Sequence, residues 1–373
     1  MKIMHLADFH LDSAFSGFSK EVADKKRADL RTAFENAMQV AKENNVKLIL
    51  IPGDLFDTPF CSSLTRKTVF DAMKDAGCPI IIAPGNHDYY NKNGTYADKD
   101  LPENVFVFNS NELGRFDFDE LGISVVGYAF TSDRYEEHPL AGDVPLSSEN
   151  ANILCAHTEI GTAYFRYAPM SFSTIAKHGF VYAALGHVHN PSEPMKIDNT
   201  LIAYSGFAQG RSFDELGNGG AYIVDIDLES KNVTLDRVKL SSMRYIIEKI
   251  DVTSLDNDED VAKKIANVIN EREYGEETAL RIVLTGAVPS YYEINEKAIS
   301  AELASSALAL LQIKNETVAN FDLAELEDDM TVRGEVYRLL LPSLNSDDEK
   351  ERQKGALALK FALAALDKRE FGI

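Results

Sequence analysis

The strongest constraint in this sequence is an ordered series of apolar runs, each closed by a short cluster of aspartate, asparagine or histidine. IMHLA leads into Asp8-Phe9-His10, VKLILIP into Gly53-Asp54, PIIIAP into Gly85-Asn86-His87-Asp88, NILCA into His157, and VYAAL into Gly186-His187-Val188-His189. Short branched apolar runs of this kind read as strands. In an open α/β sheet, ligands collect beyond the carboxyl ends of the strands, so clusters far apart in sequence can meet at one place.

The rest of the first 240 residues fits that plan. Strands are expected at 2–7, 46–52, 79–84, 105–108, 123–128, 152–156, 181–185, 200–204, 220–226 and 233–240. Between the first two, 19–44 has helical spacing, with Leu30, Phe34, Ala37, Met38 and Ala41 three and four apart and Asn44-Asn45 as a stop. A second helix is expected over 62–76. Strand and helix in alternation generate parallel neighbours, so the fold class is α/β. The later strands, with short turn-rich links, are expected to form a second and more antiparallel sheet packed on the first.

The spacing of the polar clusters suits metal binding. Asp8/His10 and His187/His189 are i,i+2 pairs, and alternate side chains of an extended chain point the same way. Aspartate, histidine and asparagine together suit Mn, Fe or Zn, and an aspartate can bridge two ions. His5 is an odd step from Asp8, faces the opposite way and is expected to pack in the core. His138 and His178 belong to no cluster and are expected at the surface.

The ordered set DFH, GDLFD, GNHD, His157 and GHVH resembles the calcineurin-like metallophosphoesterase superfamily over essentially all of 1–240. ADFHLDS near the start and YSGFAQGRSFDELGNGGAYIVDI at 204–226 resemble its bacterial DNA-repair exonuclease branch, of the SbcD and YhaO type. The resemblance implies a two-sheet sandwich flanked by helices and two divalent metal ions, with Mn²⁺ expected and Fe or Zn as alternatives. One ion would be held by Asp8, His10, Asp54 and His189, the other by Asp54, Asn86, His157 and His187. It also implies that His87 is a catalytic non-ligand that assists the leaving group, with Asp88 orienting it. Two such cations can polarise a phosphate, hold a hydroxide between them and stabilise in-line displacement.

Further candidates stand outside that set. Arg211, with Gln209, lies in a glycine-rich stretch at 204–220 and is a candidate phosphate contact, although a hairpin loop explains the glycines equally well. Asp12 and Asp57 are either acceptors behind the ligands or ordinary loop aspartates. Tyr89-Tyr90 offers either a base-stacking platform or packing.

Composition narrows the partners. With 38 basic against 59 acidic residues the formal net charge is -21, so a polyanion must be met locally, for example by metal ions. Three separated cysteines, Cys61, Cys78 and Cys155, suit a reducing compartment. The opening residues reach Asp8 before an apolar h-region could form, so a secretory signal is not expected, and no apolar run approaches the ~20 residues that span a bilayer; a cytoplasmic protein is expected.

After about residue 240 histidine disappears and the pattern changes. Residues 241–373 are expected to form a smaller α+β cap or docking module: strand 243–250, helix 258–271, strand 279–286, and helices near 295–312, 323–341 and 347–369. Apolar stripes run through Leu339, Leu340 and Leu341, and through Leu357, Leu359, Phe361, Leu363 and Leu366. Any part left exposed would mark a partner site. The expected function is a divalent-metal-dependent phosphodiesterase acting on DNA as an exonuclease or endonuclease. Its expected partners are DNA, an SMC-like coiled-coil ATPase of SbcC type and a second copy of the chain. The alternatives are a phosphoesterase for a small nucleotide or other phosphoester, and a protein-docking scaffold that keeps the fold.

Overall fold

The structure is a computed structural model that describes residues 1–161, 166–289, 292–320 and 323–366. It divides into two compact units, one of residues 1–246 with 277–279, the other of 247–276 with 280–373.

In the first unit the chain runs β1 (Lys2–His5), α1 (Lys20–Glu43), β2 (Leu48–Ile51), α2 (Ser63–Ala76), β3 (Ile80–Ile82), β4 (Val105–Val107), β5 (Gly114–Phe118) and β6 (Ile123–Gly127). It continues through β7 (Ala151–His157), α3 (Phe172–Lys177), β8 (Tyr182–Gly186), β9 (Met195–Ile197), β10 (Thr200–Tyr204), β11 (Gly220–Ile226) and β12 (Val233–Lys239). These strands build two six-stranded sheets, ordered β12-β11-β1-β2-β3-β4 and β5-β6-β7-β8-β10-β9.

The second sheet differs from the antiparallel expectation: β6, β7, β8 and β10 pair in parallel, and only its outermost strands run against them. It is the first sheet that takes the antiparallel pair β11 and β12 at one edge. The outermost strands β5 and β9 are additions to the expected set. Their half-exposed residues lack the continuous apolar run that marks a central strand.

The apolar runs are explained by burial on both faces. In β2 the alternate residues Leu48 and Leu50 enter the core between the two sheets, with Ile153, Cys155 and Tyr182 from the second sheet. Ile49 and Ile51 point the other way, onto Leu30, Phe34 and Met38 of α1. A third core covers the outer face of the second sheet, where Leu154, Ala183 and Leu185 meet Ile175 and Phe180. Each of the two long helices begins at a serine that accepts an amide from its first turn, Ser19 for α1 and Ser62 for α2, which satisfies a donor the helix cannot.

The second unit contains the three-stranded sheet β13-β14-β16, formed by β13 (Arg244–Asp251), β14 (Thr278–Thr285) and β16 (Leu310–Asn315). Between these lie α4 (Asp258–Glu271), β15 (Ala287–Pro289) and α5 (Glu296–Glu302). The helix expected over 295–312 therefore stops early: after Glu302 one tight turn, 303–305, leads into β16. The unit ends in β17 (Val318–Asn320), α6 (Leu323–Asp328), α7 (Val332–Leu344) and α8 (Glu349–Leu366). The expected last helix runs to 369, and its final three residues lie outside the described ones. In this bundle Leu359 and Leu363 are buried with Tyr337 and Leu326, whereas Leu339 is 79% exposed and Leu357 52%. Among the described residues no helix is long and apolar enough to cross a membrane.

Candidate metal centre

The carboxyl ends of β1, β2, β3, β7 and β8 bring the polar clusters together. His10 Nε2 lies 3.2 Å from His189 Nε2 and 3.7 Å from Asp54 Oδ2. On the other side of Asp54, His157 Nε2 lies 3.4 Å from the same carboxylate oxygen, 2.9 Å from Asn86 Oδ1 and 3.2 Å from His187 Nδ1. Among the described residues three groups could hold a metal ion: Asp8, His10 and His189; Asp8, Asp54 and His157; and His10, Asp54 and His87. All seven expected ligands thus meet in one place, with Asp54 between two sets.

The backbone is bent to achieve this. Asp8, His10, Asp54 and His187 have φ of 53°, 48°, 50° and 105°, a region L-residues seldom occupy and one that costs roughly 1–3 kcal/mol each. Gly53 (φ +90) lets the chain pass His157, where a Cβ would collide with the ring at Nδ1. His157 closes β7, and its Nδ1 meets the Pro52 carbonyl at 3.0 Å, which fixes the ring with Nε2 toward Asn86 and Asp54.

Electrostatics favour a cation. Burial lowers the pKa of His10, His157 and His187, the last to about 3, so their lone pairs are free near neutral pH. Burial, with the charge of Asp54, raises Asp8. For Asp54 the upward push of burial is outweighed by His157, His10 and His87, and it is held low. At His189 the bond to Glu215 outweighs burial and raises the pKa; two buried carboxyl groups beside four imidazoles are a donor set that fits divalent metal ions.

The residues behind the ligands divide in ways the sequence left open. Asp57 accepts from His10 Nδ1 at 3.2 Å and from the Ser13 hydroxyl at 3.2 Å, and so holds a candidate ligand. Asp12 instead accepts from the Ser62 amide at 2.6 Å and the Thr65 hydroxyl at 2.5 Å, a loop and helix-start role. Glu215, which sequence reasoning missed, accepts from His189 Nδ1 at 2.8 Å. Its carboxyl is buried, yet the bonds from His189 and Arg211 outweigh burial and hold its pKa down to about 2. No periodicity could have marked it, because 205–219 is neither helix nor strand.

Two expected roles are corrected. Asp88 does not orient His87: it is fully buried and accepts from the amides of Gly85, Asp54, Leu55 and Phe56, at 2.7 to 3.2 Å, and from the Tyr96 hydroxyl. It pins the loop that carries Asp54, and the carboxylate nearest the His87 ring is Asp57, 3.9 Å away. Arg211 is no open phosphate clamp: its guanidinium donates to Glu215 at 2.6 Å and to the Ser13 hydroxyl at 3.2 Å, and only 18% of the side chain is exposed. Its planar fork is already satisfied from inside the protein.

His87 stands at the mouth, 46% exposed and edge-on to the His10 ring at 4.6 Å. Tyr167 packs against the His187 ring at 4.7 Å. Tyr89 and Tyr90 pack against the cores, and Gln209 is buried, accepting from the Ser242 amide. His5 is a core histidine bonded to the Tyr182 hydroxyl at 2.7 Å and the Leu185 carbonyl at 3.1 Å. His138 and His178 are half-buried.

Two six-stranded sheets with carboxylates and imidazoles clustered beyond the carboxyl ends of their inner strands define a class of α/β proteins with a candidate metal centre. The profile of the calcineurin-like phosphoesterase family matches residues 1–191, and the chain belongs to that family of metallophosphoesterases. It is 24% identical over 303 residues to the uncharacterized metallophosphoesterase YhaO of Bacillus subtilis (strain 168), a match that covers 78% of this chain and 73% of that one. Among solved structures it is similar to the protein TT1561 of Thermus thermophilus, at 13% identity and a TM-score of 0.37 over 63% of this chain and 98% of that one. A dimetal phosphatase from Danio rerio is similar at 9% identity and a TM-score of 0.39, over 64% of this chain and 96% of that one.

Proposed function

We propose that the protein is a phosphodiesterase dependent on two divalent metal ions, Mn²⁺ foremost, and that its substrate is DNA. The observation that carries this is Asp54, whose Oδ2 lies 3.7 Å from His10 Nε2 and 3.4 Å from His157 Nε2, with His87 exposed beside it. Asp8, His10, Asp54 and His189 would hold one ion, and Asp54, Asn86, His157 and His187 the other. When bound, the ions supply a water activated at neutral pH and neutralise the phosphate charge.

The chain's own residues do the rest. Asp57 and Glu215 fix the rings of His10 and His189 through their Nδ1 atoms, so that Nε2 faces the centre. Asp88 holds the Asp54 loop in its strained turn. His87, 46% exposed at the mouth, donates a proton to the departing oxygen.

The DNA assignment is supported by the resemblance of ADFHLDS and 204–226 to the repair exonucleases. A coiled-coil ATPase would be the partner, received on the exposed leucines of α7 and α8. The test is cleavage of end-labelled single- and double-stranded DNA with Mn²⁺, Mg²⁺ or EDTA. Cleavage that needs Mn²⁺ and is lost in His87→Ala supports the nuclease. The net charge of -21 favours a second reading, a small phosphodiester as substrate. Turnover of bis-p-nitrophenyl phosphate without any cut in DNA would select it, and preference for the monoester p-nitrophenyl phosphate would reject both diesterase readings.

A further inference from the structure

A groove of about 640 Å³ lies between α1, the 57–62 loop and the first turn of α2, bordered by Asp12, Asp24, Arg27, Arg31, Phe60 and Leu64. Two of the segments that border it also reach the candidate metal centre. Asp12 stands two residues beyond His10, which keeps their Cα atoms within about 7.6 Å, and it is bonded to the Ser62 amide. The loop itself starts at Asp57, which holds His10. Both walls are therefore anchored on segments that carry or brace a ligand.

The charges in the groove are unequally committed. Asp12 spends its two oxygens on Ser62 and Thr65, and Asp24 takes the Arg27 guanidinium at 2.6 Å. Arg27 also donates to the carbonyls of Ser13 and Ala14. Arg31 has only the Thr65 hydroxyl at 3.4 Å, with no carboxylate paired to it among the described residues. Phe60 and Leu64 are 56% and 60% exposed. A guanidinium with no directly bonded carboxylate, in one groove with an exposed ring, suits a phosphate and a base of the same strand.

We infer that this groove is a subsite for single-stranded nucleic acid, in which Arg31 takes a backbone phosphate and Phe60 stacks on a base. It deepens and rests on the phosphodiesterase reading, since it holds the strand one loop away from the centre. The test is fluorescence anisotropy of a labelled oligothymidylate in EDTA, over a series of salt concentrations. Arg31→Ala should weaken binding about tenfold and flatten the slope of log K against log salt by about 0.7. Arg31→Lys should keep most of that slope. Phe60→Ala should weaken binding about tenfold at an unchanged slope, because stacking releases no counterions.

Phe60 is exposed and Arg31 half-buried, and equal thermal midpoints will show that the variants are folded. Equal affinity and slope in all variants, with Mn²⁺-dependent turnover of bis-p-nitrophenyl phosphate by the wild type, overturns the subsite and leaves the phosphodiesterase reading standing. Weakened binding in the variants of a wild type that hydrolyses no phosphodiester supports the groove as a nucleic-acid site and removes the reading it deepens.

Discussion

Glu215 accepts a hydrogen bond from Nδ1 of His189 at 2.8 Å, while Nε2 of the same ring lies 3.2 Å from Nε2 of His10. The carboxylate fixes which nitrogen faces the centre, and Arg211 closes the arrangement by donating to the same oxygen. Carboxylates behind a ligating histidine typically contribute 10–100-fold to metal affinity. Glu215→Gln should therefore weaken Mn²⁺ binding by roughly that factor, read by isothermal titration on metal-free protein. An unchanged affinity would mean that the Glu215–Arg211 pair serves only to close its loop.

Asp88 concentrates four amides and a phenol on one buried carboxylate. An amide side chain keeps a single acceptor oxygen, so Asp88→Asn leaves buried N–H groups without partners, at about 1–3 kcal/mol each. We expect a loss of roughly 2–4 kcal/mol in unfolding free energy, measured by denaturant titration. A loss under about 0.5 kcal/mol would show that the loop does not depend on this anchor.

His87→Ala should reveal its role through the leaving group. General acid catalysis contributes about 10²–10⁴-fold where the departing oxygen needs a proton. A p-nitrophenolate departs readily without one, whereas a sugar alkoxide does not. The variant should lose far more activity on an oligonucleotide or an alkyl phosphodiester than on bis-p-nitrophenyl phosphate. Equal losses on the two would place His87 in binding.

His5 predicts a pH dependence of stability. Burial lowers its pKa from 6.5 to about 3, so between those values the unfolded chain carries a proton that the folded chain does not. Stability contributed by neutral His5 is complete above pH 6.5 and falls as the pH drops through the window toward 3. Between about pH 7 and pH 5 the wild type should lose up to about 2 kcal/mol more than His5→Asn. Parallel curves for the two proteins would contradict this.

Much of the fold was legible because its central strands are buried on both faces, as Leu48 to Ile51 show, and such runs leave little room for another element. The seven candidate ligands were legible because each sits at or just past a strand end. What the sequence hid depends on packing between distant segments. Asp88 adjoins His87 in the chain, but its carboxylate turns inward, chiefly to the amides of Asp54, Leu55 and Phe56 far back along the chain. Glu215 lies in irregular backbone, where no period marks which side chain points inward. The strand at Leu310–Asn315 was hidden in an alanine- and leucine-rich stretch whose local pattern suits a helix equally well, and pairing in the sheet decides it.

The most direct measurement is the metal stoichiometry of activity. Metal-free protein would receive increasing Mn²⁺ while hydrolysis of bis-p-nitrophenyl phosphate and bound metal are followed together, beside Asp54→Asn. A centre built on a shared Asp54 predicts activity that rises until two ions are bound per chain, and a variant that retains neither full occupancy nor activity. Turnover that is indifferent to EDTA, or that saturates at one ion and survives in Asp54→Asn, would contradict it.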